Sequence, residues 1–197
     1  VAVVSGTAEQ LHMSQDAMTR LTYAYVETHH GPHGGAPAPD SAVTAPIERG
    51  PATKVTPELL AAHTAVGHRR LPGETLVAVY PADEPGGFGP AIQVVTDYSA
   101  MLMDSVTVLL HRLGVGYAWV MNPVLRARRG SDGELLALAP ASDPDAPDGF
   151  DEMWIHVRLS STADPAAVTE MVELLPSVLA DARQVAADSA ALNATLI

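Results

Sequence analysis

Gln93-Val94-Val95-Thr96-Asp97-Tyr98-Ser99-Ala100-Met101-Leu102-Met103-Asp104-Ser105-Val106 runs a Val-rich segment straight into an apolar stripe of helical spacing. Ala91 to Thr96 has the length and β-branched content of a strand. From Tyr98 to Gly114, Leu102, Val106, Leu109 and Leu113 recur on one face, Ser99 is placed to cap the amino end, and Gly114 supplies the stop. Strand, tight turn and amphipathic helix follow one another with no linker between them.

Upstream, Thr75 to Tyr80 reads as a second strand, joined to the first by a Pro- and Gly-rich connection. Thr56-Pro57-Glu58 starts a helix on which Leu59, His63 and Val66 share a face, and Pro72-Gly73 makes a turn. Arg69 and Arg70 are placed to complement the carboxyl end of that helix dipole. A further helix is predicted from Thr7 to Glu27, with Thr7 and Gln10 as a capping box and Leu11, Met18, Leu21 and Tyr25 on one face. His29 to Thr53 is rich in Gly, Pro, Ala and Thr, offers little apolar surface against chain entropy, and reads as a linker.

Downstream, Gly116 to Arg128 alternates imperfectly, and Pro123 predicts an edge position or a bulge. Gly130-Ser131-Asp132-Gly133 is a turn leading to a strand at Glu134 to Leu138. In Met153 to Leu159, Trp154, His156 and Arg158 alternate with Ile155, Val157 and Leu159, the pattern of a strand with unlike faces. Asp164 and Pro165 open a last helix carrying Val168, Met171, Val172, Leu175 and Leu179, which Pro176 should bend or split.

This order of elements predicts an α+β fold, an antiparallel or mixed sheet with helices on one face. Thr56 to Leu138 also fits a ferredoxin-like βαββαβ unit with its last helix and strand placed first. The organisation expected is an N-terminal helical segment (1–28), a linker (29–55), an α+β domain (56–163) and a C-terminal helical segment (164–197).

A formal net charge of -12, from 23 acidic against 11 basic residues, argues against nucleic acid or an anionic membrane surface as partner. The chain has no cysteine, so disulfides, thiolate catalysis and Cys-based zinc sites are excluded, and a cytoplasmic setting is expected. No segment has the length of an apolar membrane span. The first residue is Val1, and Ala190 to Ile197 carries no helix stop, so a fragment of a longer protein is expected.

Two stretches carry a family resemblance. Gln93 to Val106, followed by Asn122-Pro123-Val124-Leu125-Arg126-Ala127-Arg128-Arg129 and Asp132-Gly133-Glu134-Leu135, resembles the amino-terminal ACT-like region of the large NAD-specific glutamate dehydrogenases. Weaker agreement lies in Arg70-Leu71-Pro72-Gly73, Val77-Ala78-Val79 and Met153-Trp154-Ile155-His156, so the resemblance covers about Thr56 to Ala187. It departs at Asn122, where a His is expected, and in a longer insertion before Thr56. The resemblance implies an ACT-like fold. It also implies a parent enzyme in which several such modules precede a catalytic domain converting L-glutamate and NAD to 2-oxoglutarate, ammonium and NADH.

By the same resemblance, the partners are other domains of the polypeptide and other subunits of a homo-oligomer. NAD would belong to the catalytic domain, with no cofactor in this chain. ACT-like modules bind small amino acids at the strand-to-helix turn or where modules pair, which makes Asp97, Tyr98, Ser99, Ala100, Met101, Asp104 and Ser105 the candidate effector residues. The residues alone leave two readings open. Free amides at a helix start can hold a carboxylate, or Ser99 and Asp97 simply satisfy the turn while Asp104 is a surface charge on the helix dipole.

No catalytic residue and no metal site are expected. His29, His30 and His33 match no regular ligand spacing. The glycines Gly31, Gly34, Gly35, Gly86, Gly87 and Gly89 lack the strand-turn-helix setting of a phosphate loop, and no nucleophile-elbow pattern is present. Trp154 and His156 share a strand face and are read as an interdomain or intersubunit contact, against the alternative of a core Trp.

Overall fold

The computed structural model describes residues 14–28 and 55–195. The expected helix start at Thr7, with Gln10 and Leu11, and nearly all of the expected linker lie outside those residues. The elements in order are α1 (Gln15–Glu27), α2 (Pro57–Val66), β1 (Leu76–Tyr80), β2 (Ala91–Asp97), α3 (Leu102–Arg112), β3 (Tyr117–Met121), β4 (Val124–Arg129), β5 (Leu135–Pro140), β6 (Phe150–Leu159) and α4 (Pro165–Thr195). Ser14 caps α1 by accepting from the Ala17 N–H, and Thr56 caps α2 by accepting from the Leu59 N–H.

The six strands form one antiparallel sheet in the order β1-β2-β6-β4-β5, with β3 also paired to β6. The α+β expectation stands, with one difference in layering. Side chains alternate along β2 and β6, so Ile92, Val94, Met153, Ile155, Val157 and Leu159 face one core and Ala91, Val95 and Trp154 face another. The first core is closed by α3 and α4 through Leu102, Val106, Leu110, Met171, Leu175 and Leu179. The second is closed by α1 and α2 through Leu21, Tyr25, Leu59, Leu60 and Val66, so helices cover both faces of the sheet.

Taken as β2-α3-β3/β4-β6-α4-β1, the sheet has the ferredoxin-like strand arrangement with its last strand alone moved to the front. The expected displacement of a helix together with that strand is corrected: α4 follows β6 and packs beside α3, while α2 lies on the other face. β5 adds an outer strand. α4 is one helix of 31 residues with Pro176 inside it, and Val168, Met171, Val172, Leu175 and Leu179 are all buried. No described helix is long and apolar enough to cross a membrane.

β3 and β4 lie along the same flank of β6 in one register, with Val120 opposite Val157, Met121 opposite His156 and Val124 opposite Met153. Pro123 interrupts them because it has no N–H to return, although its carbonyl accepts from the Trp154 N–H at 3.1 Å. The expected edge position is thus half realised: the flank of β3 away from β6 has no strand partner among the described residues. There the Asn122 N–H donates to Thr28 Oγ1 at the end of α1.

Gly67, which ends α2, meets the indole of Trp154, and a Cβ at that position would lie 2.3 Å from the ring. Gly67→Ala is expected to force α2 off the sheet and lower stability by about 1–3 kcal/mol, read from the urea unfolding midpoint.

Candidate functional site

The strand-to-helix turn follows directly from β2. The Asp97 carboxylate accepts from Arg70 at 2.6 Å and from the Gly73 N–H at 2.7 Å, and the Tyr98 N–H donates to the Asp151 carbonyl at 3.0 Å. Met101 occupies the N-cap position of α3 in the left-handed region, at φ 66° and ψ 2°, and makes no side-chain cap. Its carbonyl accepts from the Ser105 N–H and from Ser105 Oγ. The expected cap at Ser99 is therefore corrected, because α3 begins two residues further on and from a backbone conformation that a capping Ser does not adopt.

Met101 makes no side-chain hydrogen bond to the first turn of α3, which Leu102 begins and whose acidic residue, Asp104, is exposed. Of the seven candidates, Asp97 and Ser105 are engaged within the fold, whereas Ala100, Met101 and Asp104 are at the surface and Ser99 is half-buried. Tyr98 points elsewhere. It lines a pocket of about 410 Å³ between the end of α1, the start of β4 and the β5–β6 connection.

Behind the turn lies a charge network that the sequence reading missed. Glu152, 1% exposed, accepts from Arg70 at 2.7 Å and from Arg129 at 2.6 and 2.8 Å, with a further bond from Trp154 Nε1 at 3.1 Å. Arg70 also donates to the carbonyls of Leu71 and Glu74, and Arg129 to those of Gly67 and Gly133. Burial alone would raise the Glu152 pKa, but the bonds from Arg129 and Arg70 outweigh it and hold the carboxyl below its ordinary value. Arg70 thus serves the core, not the dipole of α2, while its neighbour Arg69 pairs with Asp132 at the surface.

A second buried group joins α1 and α2 to the sheet. Burial pushes the Tyr25 phenol well above its ordinary pKa, so it stays protonated and donates to His63 Nδ1 at 2.8 Å. His63 Nε2 then carries the proton and donates to the Val94 carbonyl at 3.2 Å. Burial lowers the His63 pKa to about 3. His156 is likewise held neutral, by burial first and then by His63 and Arg158, and its Nδ1 accepts from Gln93 Nε2 at 3.2 Å. The expected contact surface at Trp154 and His156 is corrected: they are 1% and 0% exposed, covered by the α1/α2 layer, and offer nothing to another chain in this fold.

Comparison with known proteins agrees with this architecture. The family described as "Glutamate dehydrogenase, ACT1 domain" matches residues 53–175. The NAD-specific glutamate dehydrogenase of Mycobacterium tuberculosis (strain ATCC 25618 / H37Rv) is 45% identical over 183 residues, which is 93% of this chain and 11% of that relative. The chain spans about a tenth of that relative's length. The match runs from the start of α2 through the whole sheet into α4, and the chain belongs to the glutamate dehydrogenase ACT1 domain family.

Proposed function

We propose that this chain is a noncatalytic regulatory and assembly domain of a cytoplasmic, homo-oligomeric NAD-dependent glutamate dehydrogenase. The parent reaction would convert L-glutamate and NAD to 2-oxoglutarate, ammonium and NADH in another part of the polypeptide. The observation that supports the regulatory reading is the start of α3, where the N-cap residue Met101 offers no side-chain hydrogen bond to the first amide groups. The carboxylate of an amino-acid effector is the natural partner for such amides, with its ammonium group near Asp104. Such an effector acts on a distant active site by favouring one of two states of the assembly.

NAD itself is not a fitting ligand here. The turn from Asp97 to Met101 contains no glycine and so lacks the close backbone approach a pyrophosphate needs. His63 and His156 are both buried and neutral, placed to hold the core together and not to move a substrate proton.

A second reading, a purely structural contact module, draws on the commitment of Asp97 to Arg70 and Gly73. Calorimetric titration of the chain with glutamate, glutamine, aspartate, leucine and serine separates the two. The regulatory reading expects saturable heat with at least one of them at millimolar concentration, weakened in Asp104→Asn. No heat and no thermal shift with any of the five leaves the structural reading.

A further inference from the structure

We propose that the outer edge of β1 is a self-association surface, on which a second copy of this chain adds its own β1 antiparallel so that one sheet runs through both copies. This pairing rests on the assembly reading given above and names the surface and the partner for it.

β1 ends the sheet. It pairs with β2 on one side and with no strand on the other among the described residues. Alternate residues of such a strand aim their N–H and C=O groups outward, a ready template for a further strand. Folds guard an edge of this kind with charge, proline or a bulge. β1 has none of the three: its sequence is Leu-Val-Ala-Val-Tyr, no charged residue lies between Glu74 and Asp83, and its register with β2 is unbroken from Leu76 to Tyr80.

The other margins are guarded. The pairing of β5 is bulged at Arg128 and Arg129, and the strand ends in Pro140. Its start is bonded by residues 68–70, with the Leu135 N–H on the His68 carbonyl and the Arg70 N–H on the Gly133 carbonyl. β3 is bulged between Tyr117 and Trp119.

The sequence of β1 suits its own reverse. Antiparallel pairing about a dyad at Ala78 sets Leu76 against Tyr80 and Val77 against Val79, aliphatic–aromatic and β-branched pairs that stabilise a ladder. Val79, 46% exposed, is covered in this arrangement. Leu76, Ala78 and Tyr80 pack toward the α1/α2 core and Val77 toward the α3/α4 core, so each face meets its like in the second copy. A chain of net charge -12 repels its copy over most approaches, but here Glu74 falls opposite Ala82 and Asp83 opposite Gly73, and no carboxylates are directly opposed.

Sedimentation velocity of the chain over a range of concentrations, with amide hydrogen exchange at both ends of that range, tests this. The expected result is a monomer–dimer equilibrium, with exchange at the β1 amides slowing as the dimer fills. Val79→Lys weakens dimerisation about tenfold or more by setting like charges beside the dyad, with the thermal midpoint of the dilute monomer kept, and Leu136→Lys on β5 leaves dimerisation unchanged. A monomer at every concentration, equal dimerisation in Val79→Lys, or dimerisation with β1 exchange unaltered overturns the proposal. The last of these leaves the assembly reading standing through another surface, whereas a monomer with slow β1 exchange at every dilution assigns the edge to a segment of the same chain.

Discussion

Replacing Glu152 with alanine is expected to lower the unfolding free energy by about 3–5 kcal/mol, among the largest effects of any single substitution in this domain. The carboxylate is 1% exposed and accepts from Arg70, Arg129 and Trp154. Its loss strands two guanidinium groups in the interior, with Asp97 left as the remaining acid partner of Arg70. The cost comes from charges that have lost both water and partner, not from the attraction itself, since a buried pair gains little over apolar residues of equal size. The exposed Arg69–Asp132 pair gives the contrast: Arg69→Ala is expected to cost less than about 1 kcal/mol. Urea denaturation of the two variants at constant m separates the cases, and equal midpoints would contradict the assigned role of the network.

The second large effect is acid instability. His63 has a folded pKa of about 3 against an ordinary value of 6.5, and burial also drives that of His156 well below 6.5. Below pH 6.5 the unfolded chain takes up a proton on each histidine while the folded chain does not, so folding is progressively disfavoured. Each histidine then removes about 1.4 kcal/mol per pH unit, or about 2.7 kcal/mol per unit for the pair. The stability that a neutral His63 permits is fully present above about pH 6.5 and is lost as the pH falls toward about 3, and His156 adds a loss in the same direction. Glu152, held below the ordinary carboxylate range, adds its loss only at the acid end of that window.

The two histidines together remove about 4 kcal/mol by pH 5 and about 7 kcal/mol by pH 4, so a domain near the lower end of the usual range of about 5–15 kcal/mol is expected to unfold cooperatively between those values. Denaturation midpoints taken at steps from pH 7.5 to 4.5 check the slope. His63→Gln, which can still accept from Tyr25 and donate to Val94, is expected to roughly halve it. A flat profile over that range would contradict the buried, neutral state of both rings.

How much of this was legible in the sequence depended on whether the signal was local. The β2–α3 junction was read from its own residues, because Val-rich content and the Leu102, Val106, Leu109 stripe report periodicity directly. The α2 start at Thr56-Pro57 was equally local, and its cap is in place. The unlike faces of β6 were visible too, but alternation does not say what covers each face, so Trp154 and His156 were read as contact surface when α1 and α2 bury them.

The family resemblance rested on continuous stretches and required no pairing information. Arg70 and Glu152 are 82 residues apart, and nothing local in either segment announces the other. Arg70 therefore looked like a helix-end charge. The position of Met101 was hidden for a different reason: a methionine in left-handed backbone breaks the usual capping preference, and the Ser two residues earlier gave a false cap. The order of elements points to a permutation that carries a helix and a strand to the front, whereas only the strand is displaced, because the packing of α4 beside α3 keeps that helix after β6.

The central claim is that the start of α3 presents amides to an amino-acid effector, and backbone-amide NMR of the chain during titration with L-amino acids tests it most directly. The account predicts saturable shifts centred on Leu102, Met103 and Asp104, with smaller changes at Ser99 to Met101 and loss of the response in Asp104→Asn. No saturable shift at those amides with any amino acid, or shifts of equal size in Asp104→Asn, would contradict it.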